Sequence, residues 1–375
     1  MLTDMNVGGA GRHLQYLIGA SDRDRFDFSV ILPEGSAAAP ALEAAGATRI
    51  ISVPGFDSSF SPRAFGRVFS ALGELRPDIA HTHSAMTGRH AAVLRRVPLR
   101  IMTKHSSDFP PRAVRTFPLR QLCSLGYSVS LDAAIATDDS AAAALRAGGV
   151  PRKKIHIIYN GAPERKAPGA AEKEAAARLL SSVGGGRLFT VGMFCRLEPE
   201  KSVETFLRAA AICLRFTGDI AFVVAGDGSR RKELESLIPR YGLGGNAVFT
   251  GFLPDPAPVM SLCRVIVSAS TSVETSSLSV IEGMGMGLVP VVSDTGGSRR
   301  LVGDCGAVTA PDDPSALAEA ILRLLRDPDL VSLLSRKAAE RAHTRFSAEK
   351  TASMTEKLYL ELLGAEKMAS KRGNC

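Results

Sequence analysis

Short apolar runs recur along almost the whole 375-residue chain, and the stretches between them repeat their apolar residues with helical spacing. One series of runs is Phe28–Leu32, Ile79–His81, Arg100–Thr103, Ala133–Ala136 and Ile155–Ile158. A second is Leu188–Val191, Ala221–Ala225, Val248–Thr250, Val265–Ser268 and Val289–Ser293. Helical patterns such as Val203–Phe216 and Arg231–Tyr241 fall between them. Such alternation predicts α/β folding with parallel, doubly wound sheets, whose ligands sit at the carboxyl ends of the strands. The two series part at Pro163–Gly186, which is rich in Ala, Gly and charge and closes on Gly184-Gly185-Gly186. Two Rossmann-like domains facing across a cleft are therefore expected, over 1–163 and 187–346, with 164–186 as linker. Residues 347–363 read as an amphipathic helix with Met354, Leu358 and Leu362 on its apolar face, packing back toward the first domain. The tail from Ala365 to Cys375 reads as polar, basic and frayed.

Composition narrows the class. Apolar content of 45% and charged content of 22% describe a folded protein rather than a disordered one. No apolar run approaches the roughly 18–20 residues that span a bilayer. Met1-Leu-Thr-Asp-Met-Asn6 lacks the basic and apolar regions of a signal peptide. Cysteines 123, 195, 213, 263, 305 and 375 fall singly, the pattern of reduced thiols, so a cytoplasmic protein is expected. A net charge of +8 favours anionic partners: phosphates, nucleic acid or an anionic membrane. With no Trp, five Tyr and no zinc-finger spacing, the chain carries no nucleic-acid module.

The most informative stretch is Glu274-Thr-Ser-Ser-Leu-Ser-Val-Ile-Glu282, two carboxylates separated by seven residues. The first follows the strand Val265–Ser268 in a Ser/Thr-rich loop, and the second falls about one turn into a helix of small residues. A helix opening there offers free backbone N–H groups to a phosphate, and the acids can hold hydroxyls on either side of a diphosphate. The competing structural reading is a capping box, Ser279-x-x-Glu282.

Other motifs collect at expected strand ends. Gly8-Gly9-Ala10-Gly11 precedes an apolar helical pattern and suits close backbone approach to a phosphate. It also reads as a tight turn, or as an incomplete dinucleotide fingerprint with Glu34 as the ribose acid and Leu14 where a small residue is needed. His81, His83, Lys104 and His105 end two successive strands. No neighbouring Cys or carboxylate completes a zinc spacing among them. Arg196 and Lys201 share one strand–helix loop and suit a diphosphate clamp, although a solvated charged loop reads the same way. Gly226-Asp-Gly228 and Gly251-Phe252-Leu253 are further strand-end turns. No P-loop, G-x-S-x-G, HExxH or Asp-x-Asp pair is present.

Taken in order, these pieces resemble the family 4 glycosyltransferases of GT-B architecture over nearly the whole chain. Gly8-Gly9-Ala10 resembles that family's N-terminal glycine loop, Pro77–His83 its third-strand signature and Asn160-Gly161 the end of its acceptor domain. The resemblance implies a retaining transferase that takes a sugar from a UDP- or GDP-linked donor and passes it to a lipid-linked or glycan acceptor, as in cell-envelope polysaccharide synthesis. It implies no cofactor and no metal. Arg196 and Lys201 would grip the diphosphate, Glu274 the transferred sugar and Glu282 the ribose, while Gly9 would approach the donor phosphate and His105 would face the sugar. Gly8, Gly226, Phe252, Leu253, Ser276, Ser277 and Leu278 complete the implied donor site. Three departures stand out: Thr275-Ser276-Ser277 replaces Gly-Phe-Gly, Gly296-Gly297-Ser298 replaces a Glu-bearing segment, and the first strand is nearly absent, as though the start were misassigned or truncated. A nucleotide-sugar epimerase or a non-catalytic nucleotide-sugar-binding protein would keep the same nucleotide site. Finally, Arg112, Arg115 and Arg120 interleave with Val114, Phe117, Leu119 and Leu122, so this segment is expected to rest on the inner face of an anionic membrane.

Overall fold

A computed structural model describes residues 1–373 except 7, 84, 186, 187 and 273, with side chains through Gly364. The chain divides into two compact units, Met1–Pro163 with Ala348–Cys375, and Glu164–Ser347.

In the first unit the strands are β1 (Ser29–Pro33), β2 (Arg49–Val53), β3 (Ile79–His83), β4 (Leu99–Lys104), β5 (Ala133–Ala136) and β6 (Ile155–Ile157). They pair in parallel as β1-β2 and as β3-β4-β5-β6. The first residues of the chain join the two sheets. Leu2 N donates to Ile31 O at 3.1 Å, Leu2 bridges His83 in parallel, and His83 N donates to Met1 O at 2.9 Å. Leu2 is 0% exposed, so this short segment fills the central strand's place that the sequence left nearly empty. The resulting order is β2-β1-(1–3)-β3-β4-β5-β6, with its reversal between residues 1–3 and β3.

The second unit holds β7 (Phe189–Phe194), β8 (Ile220–Ala225), β9 (Ala247–Gly251), β10 (Val265–Ser268), β11 (Val289–Ser293) and β12 (Ala307–Thr309). All pair in parallel, in the order β12-β11-β10-β7-β8-β9. β8, β10 and β11 are buried along their whole length, which is why they read as continuous apolar runs. Phe206, Phe222, Val224, Val267, Leu317 and Ile321 sit in the main core, between the sheet and its helices. The strand order reverses between β7 and β10, and that is where ligands bind in open α/β sheets.

Two expectations change. Residues 164–186 are not a plain linker, because a helix spans Ala170–Leu179 and Ala176, Leu180 and Val183 are buried in a core cluster of the second unit. The composition misled because a short Ala-rich helix needs only one small face to pack. The final helix spans Ala348–Gly373 rather than stopping near Leu363. Of the tail expected to fray, Asn374, Cys375 and the side chains from Ala365 onward lie outside the described residues. Among the described residues, no helix is long and apolar enough to cross a membrane.

Candidate functional site

At the second unit's switch point, the loops after β7 and β10 meet through side chains. Lys201 Nζ donates to Glu274 Oε2 at 2.7 Å, and Ser270 Oγ donates to the same oxygen at 2.6 Å. Lys201 ends a short 3-10 turn, Pro199–Lys201, and Ser202 then takes a left-handed φ of 48° as the chain enters the helix Val203–Leu214. The backbone also ties the loops together, since Thr271 N donates to Glu200 O at 3.0 Å. Arg196 is more exposed and pairs with Glu200 at 2.9 Å. Cys195 directly precedes Arg196, and burial pushes its thiol up to about 12, so at neutral pH it is not a thiolate.

Beyond Glu274, Thr275 and Ser276 are buried, and the helix Leu278–Gly285 begins after Ser277. The N-cap Ser277 makes no side-chain capping bond, and the first-turn N–H groups have no acceptor within the helix. The capping-box reading fails here, because the N-cap is Ser277 rather than Ser279. Glu282 lies in the second turn and is buried. Gly283 lets the helix lie close on β10; a Cβ there would stand 2.6 Å from Ile266 Cδ1.

The remaining predicted residues of this unit line the ends of β8 and β9. Gly226 has a φ of 144°, and its N–H donates to Gly251 O at 2.9 Å. A Cβ on Gly226 would overlap the Cys195 carbonyl oxygen, and one on Gly228 would come within 2.6 Å of Leu197 O. These glycines therefore let the β7 and β8 loops touch. Phe252 is exposed just past β9, whereas Leu253 packs against a core cluster. The structure thus brings Lys201 and Glu274 into contact and keeps Arg196 on the same loop, while Gly226 follows β8, Phe252 follows β9, and Ser276, Ser277, Leu278 and Glu282 fall in the loop and helix that follow β10.

Gly8, Gly9 and His105 belong to the first unit. The glycine motif does not precede its helix but opens it: Gly8 is the N-cap and Gly9–Ala20 is helical. A Cβ on Gly9 would meet nothing within 4 Å, so packing does not require glycine there. One turn on, His13 is buried beside His83 and His105, a residue the sequence reading passed over in favour of the apolar Leu14, Leu17 and Ile18. The available signal was an imidazole one turn past a glycine loop. Burial pushes His13 down to about 4, with a side-chain contact to Asn160 opposing, and also holds His81, His83 and His105 well below the ordinary imidazole range.

On the first unit, the helix Leu119–Ser130 buries only Ser130 and turns Leu119, Leu122, Leu125 and Val129 to solvent. Phe117 just before it is 80% exposed. Arg120, Arg146 and Arg152 line a shallow depression against this helix.

Two family models match the chain, one described as Glycosyltransferase Family 4 over residues 7–165 and one as Glycosyl transferases group 1 over residues 188–327. The chain is similar to an alpha-D-kanosaminyltransferase of Streptomyces kanamyceticus, with 32% identity over 44% of each chain. It is 30% identical to the lipopolysaccharide core biosynthesis glycosyltransferase LpsD of Rhizobium meliloti, over 64% of this chain and 68% of that one. The matches span only about half the length of the first curated relatives, 44% and 57%. Among solved structures, Anabaena Alr3699/HepE in complex with UDP and glucose has a TM-score of 0.80 at 22% identity, covering 95% of this chain and 97% of that one. That likeness is one of fold, the GT-B architecture.

Proposed function

The chain belongs to the family 4 glycosyltransferases, and on that premise we propose that it moves a sugar from a UDP- or GDP-linked donor to a lipid-linked or glycan acceptor with retention of configuration. The observation that carries this reading is the Lys201–Glu274 contact at the sheet's switch point, directly before a helix N-terminus. A diphosphate there meets the Lys201 ammonium, the Arg196 guanidinium and first-turn N–H groups, which together neutralise its charge without a metal. Glu274 is assigned to the transferred sugar and Glu282 to the ribose.

In the proposed step the bond between the anomeric carbon and the diphosphate oxygen breaks as the acceptor oxygen arrives on the same face. The departing diphosphate oxygen takes the acceptor's proton. Lys201 and Arg196 stabilise the growing negative charge, and Glu274 stabilises the positive charge on the flattened ring. Phe252 is an exposed aromatic surface for the base, next to the Gly226 turn.

For the acceptor we assign the first unit. Its helix Leu119–Ser130 exposes an apolar row that a water-soluble fold normally covers, and Arg112, Arg115 and Arg120 are exposed beside it. Such a segment suits an anionic membrane surface and therefore a lipid-linked acceptor. The reading is tested by thermal-shift screening of UDP, GDP and their sugars, then by a transfer assay in extracted membrane lipid with the product's anomeric configuration read by NMR. A β-linked product from an α-linked donor contradicts retention, and a product formed from donor alone indicates epimerisation instead.

A further inference from the structure

Three histidines of the first unit converge from three separate elements. His13 lies one turn into the helix Gly9–Ala20, His83 ends β3 and His105 follows β4, so all three stand at the carboxyl ends of the central strands. One ring nitrogen of each lies within 4.8 Å of the other two. His83 Nδ1 and His105 Nε2 are 2.8 Å apart, and the His13 ring centroid is 4.9 Å from that of His105 and 5.6 Å from that of His83. His81 is not part of the set, because its Nδ1 meets the Tyr359 hydroxyl at 2.6 Å and its Nε2 meets Thr103 Oγ1 at 2.7 Å.

A neutral imidazole has one donor and one acceptor, and the His83–His105 contact uses one nitrogen of each ring. His83 Nε2 then stays buried without a hydrogen-bond partner among the described residues, in a side chain only 1% exposed. A buried polar atom left this way carries its full desolvation penalty, and in a native fold such an atom calls for a reason.

We propose that His13, His83 and His105 form a binding site for a divalent transition metal of the zinc class. Zinc–nitrogen bonds of about 2.0–2.1 Å set tetrahedral donors about 3.4 Å apart, so ring rotations moving each nitrogen by roughly 1 Å bring the set into register. Three imidazoles and no carboxylate select zinc, copper or nickel over magnesium or calcium. The donors leave a fourth coordination position for water or a ligand oxygen. His81, stacked on His83 at 4.4 Å between centroids and held by Thr103 and Tyr359, buttresses the central ring as outer-shell partners do. A metal here would tie the first helix to β3 and β4. The site uses no residue of the second unit, and its one overlap with the donor reading is His105, which the resemblance turns toward the sugar.

The test uses the full chain, stripped with EDTA and dialysed against zinc(II), with bound metal measured by mass spectrometry and affinity by calorimetry. One zinc per chain is expected for wild type and for His343→Asn, a change at an exposed histidine outside the cluster. His13→Asn and His83→Asn should each weaken binding by at least ~10-fold. Should either variant lose its fold, cobalt(II) loaded into wild type decides, because a three-nitrogen tetrahedral site gives intense visible bands and an adventitious hydrated ion does not. Failure of wild type to retain zinc, retention unchanged in both folded variants, or a cobalt spectrum of the hydrated type would each overturn the proposal.

Discussion

Lys201 Nζ and Glu274 Oε2 stand 2.7 Å apart although 73 residues separate them in the chain. Their side chains are 21% and 9% exposed, so the pair is shielded but reachable. The contact joins the loops after β7 and β10, the two strands between which the sheet's order reverses. Removing the ammonium leaves a nearly buried carboxylate without its counter-charge, with the Ser270 hydrogen bond to Oε2 still in place. Lys201→Met is therefore expected to lower stability by about 1–3 kcal/mol, below the 3–5 typical of a fully buried pair, and to weaken donor binding as well. Melting curves with calorimetric titration of nucleoside diphosphate separate the two effects.

Glu274→Gln keeps the shape and an oxygen for the Lys201 and Ser270 donors but loses the charge opposite Lys201, so a stability loss of about 1–3 kcal/mol, like that of Lys201→Met, is expected. Its charge is the part assigned to the transition state, and kcat should fall by about 10² or more, equivalent to ~2.7 kcal/mol. Steady-state kinetics measure this, and full activity in the variant would end the assignment.

Glu282→Ala should act differently. The ribose does not react, so its contact contributes almost equally in ground and transition states and mainly sets KM. An increase of about tenfold in donor KM with kcat nearly unchanged is expected, equivalent to ~1.4 kcal/mol. Because Ser277 rather than Ser279 begins the helix, no capping box is lost with this carboxylate.

Gly226→Ala tests how the loops touch. The new Cβ would overlap the Cys195 carbonyl, and a φ of 144° is one that alanine rarely adopts. A cost of about 1–3 kcal/mol is expected, with a fall of roughly 3–10 °C in melting temperature. Unchanged melting would show that the β7 and β8 loops are not coupled in this way.

Leu122 and Leu125 are 61% and 64% exposed, so Leu122→Ser with Leu125→Ser should leave melting within about 0.5 kcal/mol of wild type. Co-sedimentation with vesicles containing anionic lipid should drop in that variant and fall with salt in wild type. Binding indifferent to both the variant and the lipid charge would remove the membrane from the account.

The strands buried on both faces were legible from the sequence. Val265–Ser268 and Val289–Ser293 fall where the apolar runs place them, and Ala221–Ala225 is off by one residue. β2 and β12 were passed over: Ile50-Ile51-Ser52-Val53 is an apolar run interrupted by Ser52, and Ala307–Thr309 is three residues long. That cations and glycines follow the strands was legible, because local sequence displays such residues directly after the apolar runs. The Lys201–Glu274 contact and the approach of His13 to His83 were not, since both depend on which strands become neighbours.

The central claim is that the second unit binds a nucleoside diphosphate through Lys201, Arg196 and the helix beginning at Leu278. Isothermal titration of the EDTA-treated full chain with UDP, GDP and ADP tests it without reference to an acceptor. The account predicts saturable binding of UDP or GDP that survives EDTA and weakens by about tenfold or more in Arg196→Ala and Lys201→Met, since each removes a charge-assisted contact. No binding of any of the three, or binding that neither substitution alters in folded protein, would contradict it.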